Sequence, residues 1–243
     1  MQKRAFGVAV RFLLFLLLFA VIAGLFSVWA MHTDRHVSTL PDDPPTPADF
    51  TVVIDAGHGG EDGGACSKDG IVEKDLNLDI AMHLRTLLEA NGISVVMTRT
   101  DDRLLYDRNE NFTGRKKHLD LTARARIAAE TPNSIFVSIH MNSYPVAKYS
   151  GLQVWYSPNH ADSARLAHTI QKTVTGALQP ENDRAVKPAT SSIYLLHRIT
   201  APAVLVECGF LSNPEEAARL NTPAYREELA FWLFLSIMEA QTA

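Results

Sequence analysis

Residues 52 to 65 read VVIDAGHGGEDGGA, and no other stretch of the chain says as much about its fold. The β-branched residues at the start of this stretch suit a buried strand. The strand runs into a loop with five glycines, which lets the backbone turn sharply or approach a ligand closely. His58 stands among these glycines, just past the strand, where it can meet a metal or a substrate. A phosphate-binding loop is the alternative, but the spacing fits neither G-x-x-x-x-G-K-[ST] nor G-x-G-x-x-G.

Helical and strand patterns alternate after this loop. Apolar residues recur at helical spacing from Glu73 to Ala90, and Asn91-Gly92 ends that helix. Further patterns predict strands at 93–97, 134–139, 151–156 and 203–206, and helices at 119–129, 163–178 and 225–239. We therefore expect an α/β domain with a mostly parallel twisted sheet and helices on both faces.

The first 50 residues differ in composition from the rest. Phe12 to Ala30 contains nineteen residues without a charge, about the length that crosses a bilayer core of roughly 30 Å. Basic residues precede it, so the positive-inside rule predicts a cytoplasmic N-terminus and an exported domain. A cleavable signal peptide, which would give a secreted domain, is the alternative. We predict a cytoplasmic stub and transmembrane or signal-anchor segment at 1–31, a proline-rich linker at 32–50 and a folded domain at 51–243.

Charge and cysteine content exclude some classes of function. The net charge is −4 and no basic stripe occurs, so nucleic acid is not an expected partner. A serine hydrolase is not supported either, because the chain has no G-x-S-x-G motif. Two cysteines, Cys66 and Cys208, are too few to indicate a disulfide framework, and we expect them to be unpaired.

Three of the predicted strands end at a residue that can bind a metal or move a proton. These residues are His58, His140 and Glu207. In open α/β sheets, ligands bind outside the carboxyl ends of the strands. Glu73 begins the helix that follows the glycine loop, so the loop would bring it back beside His58. Two imidazoles and one carboxylate are a common catalytic zinc shell, which suggests His58, Glu73 and His140 as ligands.

The spacing alone does not establish this site. The chain has no H-E-x-x-H motif, and most isolated histidines are surface or core residues. Burial at a strand end would raise the pKa of Glu207 toward the range of a general base. On that segment alone, however, a capping or salt-bridged carboxylate is the simpler interpretation. We expect Glu61 and Asp62 to be solvated or to cap the loop, and hypothesise that Asp55 binds the second nitrogen of a histidine.

Several segments, taken in order, resemble the zinc-dependent N-acetylmuramoyl-L-alanine amidases of bacterial cell walls. The segments are DAGHGG at 55–60, EKD at 73–75, LTARARIA at 121–128, SIHMN at 138–142 and ECGFLSN at 207–213. The resemblance covers about residues 51 to 240. It implies that 51–243 is a zinc amidase catalytic domain, with one Zn²⁺ held by His58, Glu73 and His140 and with Glu207 as the catalytic glutamate.

The resemblance also implies a substrate and a location. The substrate would be the amide bond between N-acetylmuramic acid and L-alanine in peptidoglycan, at the outer face of the bacterial cytoplasmic membrane. The single membrane segment and bare catalytic domain are similar to those of the spore-cortex, germination-specific amidases, which implies a role in the spore cortex. The expected partners are peptidoglycan and, through the N-terminal helix, the membrane; whether an activator protein is needed stays open. A zinc peptidase or deacetylase acting on another wall bond, or an inactive wall-binding regulator, are the alternative functions.

Overall fold

The computed structural model of the protein describes residues 50–107, 109 and 111–242. Its strands are β1 Thr51–Ala56, β2 Ser94–Met97, β3 Ser134–Asn142, β4 Gln153–Tyr156, β5 Lys187–Pro188 and β6 Ala203–Phe210. Its helices are α1 Glu73–Ala90, α2 Lys116–Glu130, α3 Asp162–Leu178, α4 Tyr194–Arg198, α5 Pro214–Leu220 and α6 Pro223–Thr242. The predicted anchor Phe12–Ala30 and all of the predicted linker except Phe50 lie outside these residues.

The six strands form one sheet in the order β2-β1-β3-β6-β4-β5. Neighbouring strands are parallel throughout except at one place, where β4 runs antiparallel to β6. The prediction of a mostly parallel sheet is therefore confirmed. Parallel strands bring their carboxyl ends to the same edge, so the residues at the ends of β1, β3 and β6 become neighbours.

Helices cover both faces of the sheet. Successive side chains of β1 show this, because they are buried in two different cores. Val52, Ile54 and Ala56 are buried in the larger core, which α1, α3 and α6 share. Val53 is buried in a smaller core on the other face, together with residues of α2 and α4. Successive side chains of a strand point to opposite faces, so Asp55 lies on the α2 side.

The structure corrects the predicted ends of two strands. β3 and β6 do not stop at residues 139 and 206 but continue to Asn142 and Phe210. His140 and Glu207 therefore lie within paired strands and face each other in the β3–β6 register, rather than past the strand ends. The polar residues His140 and Glu207 end the hydrophobic pattern of each strand, but the backbone hydrogen bonds between the strands continue past them. A prediction from hydrophobicity therefore ends both strands too early. A bulge follows this pair, where the register shifts between His140 and Asn142.

Two further expectations concern the cysteines and the membrane. Cys66 and Cys208 are both free, as predicted. Within the residues that the structure describes, none of the helices is long and apolar enough to span a bilayer.

Candidate active site

His58, Glu73 and His140 come together at the carboxyl edge of the sheet. One potential ligand atom from each lies within 4.8 Å of those of the other two. His58 Nε2 is 3.3 Å from Glu73 Oε1, and His140 Nδ1 is 2.9 Å from the same oxygen. The loop after β1, the first residue of α1 and the end of β3 thus supply one side chain each to a single cluster.

The glycine loop after β1 brings His58 to Glu73. His58 itself has a positive φ of 60°, and Gly64 has a φ of 69°. A Cβ atom on Gly64 would lie 2.5 Å from Glu73 Oε2 and 2.7 Å from His58 Cδ2. Position 64 therefore requires glycine for two reasons. Its φ is positive, and the side chains of Glu73 and His58 leave no room for a Cβ atom.

Glu73 is buried and held by hydrogen bonds to both carboxylate oxygens. The Met141 amide donates to Oε1 at 3.0 Å and the Ala65 amide to Oε2 at 2.7 Å. Burial opposes ionisation of this group, but hydrogen bonds with His140 and His58 hold the pKa of Glu73 well below its usual range. Glu73 is thus an ionised carboxylate fixed between two imidazoles.

Asp62, rather than Asp55, lies next to a histidine of the cluster. Asp62 Oδ2 is 3.0 Å from His58 Nδ1, and Asp62 Oδ1 accepts a hydrogen bond from the Gly64 amide at 3.2 Å. The expectation that Asp62 caps the loop is confirmed, but it also contacts His58. A carboxylate beside Nδ1 favours a proton there and leaves Nε2 free to face the cluster. Glu61, by contrast, is exposed and pairs with Lys116.

Asp55 binds other partners than the predicted histidine. It accepts hydrogen bonds from Arg124 Nη1 at 2.6 Å, Ser138 Oγ at 2.6 Å and Thr98 Oγ1 at 2.8 Å. These short contacts from a cation and two hydroxyls occupy both carboxylate oxygens. The hypothesis of an Asp55–histidine bond is therefore wrong.

Arg124 is a site residue to which the sequence pattern assigned no role. It is 1% exposed and donates to Asp120 Oδ2 at 2.8 Å, in addition to Asp55. It also donates to the His58 carbonyl at 2.7 Å, so this buried cation fixes the backbone of a cluster residue. The sequence offered two signals, the family-like segment at 121–128 and its charged residues, but it did not show which of Arg124 and Arg126 is buried.

Glu207 lies beside the cluster and is not part of it. It faces His140 across the β3–β6 pairing. Its Oε2 is buried and has no hydrogen-bond partner in the described part of the chain. Burial raises the pKa of Glu207 to about 7, although His140 opposes the shift. A carboxylate with this pKa can both accept and release a proton near neutral pH.

A cavity of about 160 Å³ opens onto the two histidines from the α2 side of the sheet. Its other walls include Leu121 of α2, Leu205 of β6 and Ile193, which precedes α4. The cavity gives a substrate a partly apolar space beside the histidine cluster.

Comparisons with known proteins agree with this geometry. Residues 52–238 match the sequence profile of the Amidase_3 family, described as N-acetylmuramoyl-L-alanine amidase. The germination-specific N-acetylmuramoyl-L-alanine amidase of Bacillus subtilis is 33% identical over 228 residues, which are 94% of this chain and 93% of that protein.

Solved structures give the same result. The CwlD amidase of Clostridioides difficile, solved in complex with the GerS lipoprotein, is 40% identical with a TM-score of 0.75 and covers 79% of this chain and 98% of its own. An N-acetylmuramoyl-L-alanine amidase of Clostridium difficile 630 is 32% identical with a TM-score of 0.69, over 80% of this chain and 97% of its own.

Proposed function

The chain belongs to the N-acetylmuramoyl-L-alanine amidase family and is a hydrolase of peptidoglycan, and we propose that it works with one zinc ion. His58, Glu73 and His140 would hold this ion. The bond cleaved would be the amide between the lactyl group of N-acetylmuramic acid and L-alanine.

The donor set fits zinc. Two imidazoles and one carboxylate within 4.8 Å of one another match a common catalytic zinc shell, which leaves a position for water. Glu73 is ionised, and Asp62 beside His58 Nδ1 favours a proton on that nitrogen, which leaves Nε2 as the ligand atom on the side of the cluster. When bound, zinc would supply the Lewis acidity that lowers the pKa of a water toward about 7 and polarises the scissile carbonyl.

Glu207 is the residue that would move the proton. Its pKa of about 7 lets the carboxylate accept a proton from the attacking water and return it to the departing amine of L-alanine. Its unpartnered Oε2 is free to make these contacts. The observation that carries the proposal is this convergence of a His-Glu-His cluster and an unpaired glutamate at one edge of the sheet.

Replacing Glu207 by Gln tests the assignment. E207Q should keep its zinc, because Glu207 is not a ligand, and should release stem peptides from purified peptidoglycan about 10²–10⁴-fold more slowly. Zinc content and mass spectrometry of the products measure the two effects. The matched control is E215Q, which makes the same change at an exposed residue of α5 and should act like the wild type.

Two results would contradict the proposal. The first is an E207Q protein that works at the wild-type rate. The second is a wild-type digest in which the bond between muramic acid and L-alanine is intact, since a peptidase or a deacetylase would leave it so.

We also propose an exported protein with a role in the spore cortex. The germination-specific relative in Bacillus subtilis and the charge-free segment Phe12–Ala30 support this. Protease accessibility of the folded domain in intact protoplasts tests the orientation at the outer face of the membrane. Deletion should change the muropeptides of the cortex and leave those of the vegetative wall as they are.

A protein partner is a further part of the proposal. The CwlD amidase, which is 40% identical, was solved with the GerS lipoprotein, and this supports a comparable partner for the present chain. Cross-linking of the full-length protein in sporulating cells should yield one defined product. Only monomer after cross-linking would argue against a partner.

A further inference from the structure

Four side chains form a continuous strip from the surface toward the catalytic glutamate. Tyr144 and Tyr149 lie in the loop between β3 and β4 and pack edge to face, with ring centroids 5.0 Å apart. The Tyr149 ring is 6.5 Å from that of Phe210, and the Arg184 guanidinium lies 4.8 Å from the Phe210 centroid. We call Tyr144, Tyr149, Phe210 and Arg184 the rim strip.

The outer end of the rim strip is exposed. Tyr144 is 52% and Tyr149 40% exposed, and these two are among the few large apolar side chains that the described part of the chain leaves open to solvent. Exposed rings packed edge to face offer a ligand an apolar surface made of two perpendicular aromatic rings.

The loop that carries the tyrosines is fixed rather than loosely attached. The Tyr144 amide donates to Ser212 Oγ at 3.0 Å, and Asn213 Nδ2 donates to the Tyr149 carbonyl at 3.4 Å. The Gly151 amide donates to both carboxylate oxygens of Glu216 at 3.0 Å. The backbone that carries the two rings is therefore held in place before any ligand arrives, which lowers the entropy cost of binding.

The inner end of the rim strip lies next to Glu207. Gln153 is directly opposite Glu207 in the antiparallel β4–β6 pairing, so their side chains share a face of the sheet. Gln153 Oε1 accepts a hydrogen bond from Arg184 Nη2 at 2.5 Å. The guanidinium is thus held by Gln153 on one side and by the Phe210 ring on the other, beside the proposed general base.

Arg184 retains a donor without a protein acceptor. Its Nε is buried and has no hydrogen-bond partner among the described residues. A buried donor without a partner is costly, and a ligand oxygen would relieve the cost. The planar guanidinium can meet a carbonyl oxygen while its position stays fixed.

The chemistry of the strip suits sugars. A pyranose ring has a face of C–H groups that packs on an aromatic ring, while its hydroxyl and acetamido groups need hydrogen-bonding partners. Two exposed tyrosine rings followed by an unpaired planar donor supply both in one line. The line also ends at the glutamate that would act on a bond next to a sugar.

A protein partner is a poorer fit to this surface. Tyr144 is 52% and Tyr149 40% exposed, so the two could bury about 230 Å² more at most, from roughly 150–250 Å² for each side chain. A stable protein interface buries about 800 Å² on each partner. The strip is the right size for a few sugar rings in a row.

We propose that the rim strip is a subsite for the glycan strand of peptidoglycan. Arg184 would donate from Nε to the acetamido oxygen of the muramic acid that carries the scissile bond. Tyr149 and Tyr144 would stack on sugars further along the strand. This inference rests on the proposed function, because it assigns a substrate part to the same active site.

The first test compares a long substrate with a short one. The substrates are glycan strands bearing stem peptides and a fragment with a single N-acetylmuramoyl residue bearing the same peptide. In Y144A/Y149A, the ratio of kcat/KM on strands to that on the fragment should fall about tenfold. R184Q should lower kcat/KM on both substrates by about tenfold, because its subsite holds the sugar that they share.

The control for exposed aromatic surface is F231A. Phe231 is 43% exposed on α6 and belongs to no part of the site, so F231A should keep the wild-type ratio. An unchanged ratio in Y144A/Y149A would overturn the proposal, and so would an equal fall in F231A. Melting temperatures of all variants identify any loss of rate that comes from unfolding.

The second test measures binding without turnover. Strands stripped of every stem peptide are the probe, and E207Q protein loaded with zinc is the receptor. Adding Y144A/Y149A to E207Q should weaken binding about tenfold, and adding F231A should not. Unchanged binding would mean that the tyrosines contact something other than glycan, and the inference would fail. If the wild-type protein released no peptide from either substrate, that result would contradict the proposed function. The binding measurement would still test whether the rim strip binds glycan.

Discussion

At the scale of single residues, the buried ion pair between Arg124 and Asp55 is central to the site. Arg124 Nη1 lies 2.6 Å from Asp55 Oδ1, and both residues are buried almost completely. Burial opposes the charge on each residue. Arg124 nevertheless lowers the pKa of Asp55, and Asp55 raises the pKa of Arg124, so both residues stay ionised. Because Arg124 also holds the His58 carbonyl, the pair couples the stability of the fold to the position of His58.

Replacing Arg124 by Met should destabilise the protein by about 3–5 kcal/mol, because it leaves the Asp55 charge buried without its partner. Urea unfolding measures this change. R126M is the matched control on the same helix, since the Arg126 side chain is 70% exposed, and should cost less than about 0.5 kcal/mol. Equal effects of the two substitutions would mean that the buried pair has no special role.

At the scale of elements, the length and composition of the loop between β1 and α1 determine how His58 meets Glu73 in the cluster. This loop must return the chain from the end of β1 to Glu73, the first residue of α1. The loop's own backbone contributes, since the Ala65 amide binds Glu73 Oε2. At Gly57 and Gly64 this path leaves no room for a Cβ atom, and at Gly64 it also requires a positive φ.

Two glycines of this loop allow the effect of backbone strain to be distinguished from the effect of steric overlap. Gly64 and Gly70 both have positive φ, 69° and 83°, but a Cβ on Gly70 would meet nothing within 4 Å. G70A should therefore cost about 1–2 kcal/mol of stability and keep zinc binding. G64A should lose zinc binding as well, because its Cβ would displace Glu73 or His58. Calorimetric zinc titration distinguishes the two, and normal zinc affinity in G64A would disprove this account of the loop.

Long helices could be predicted from the sequence and short helices could not. The helix at 73–90 was predicted with the bounds that the structure has, because five turns of apolar periodicity leave little ambiguity. The helices Tyr194–Arg198 and Pro214–Leu220 were missed, since one or two turns carry no periodic signal. Asn213-Pro214 was nevertheless readable as a helix start, and the Asn213 side chain does cap that helix.

At the scale of the whole molecule, the site joins parts of the chain that are far apart in sequence. Its cluster residues come from the β1–α1 loop, α1 and β3, and the glutamate comes from β6. An ion that binds this cluster binds the folded state and not the unfolded chain. Zinc should therefore stabilise the entire domain.

We expect zinc at about 100 times its dissociation constant to stabilise the protein by about 2.7 kcal/mol, which raises the melting temperature by roughly 5–10 °C. A chelator should reverse the increase. H140A should show no increase, whereas H168A, which changes an exposed histidine of α3, should behave like the wild type. The same rise in H140A as in the wild type would exclude His140 as a ligand.

The sequence by itself determined the α/β class and the residues of the cluster. Hydrophobic periodicity depends only on residues close together in sequence, so the fold class could be predicted from it. Neighbouring parallel strands align their carboxyl ends, so His58, His140 and Glu207 could be expected at one edge of the sheet. The resemblance to the family then assigned their roles.

Only the tertiary structure decided which partners these residues have. Arg124 binds Asp55 from 69 positions away, and Asp62 rather than Asp55 lies beside His58. Such contacts depend on side-chain directions and strand register, which a linear pattern does not record. The rim strip is a case of the same kind, because Arg184 and Tyr149 come from separate loops and each lies against Phe210 only in the folded chain.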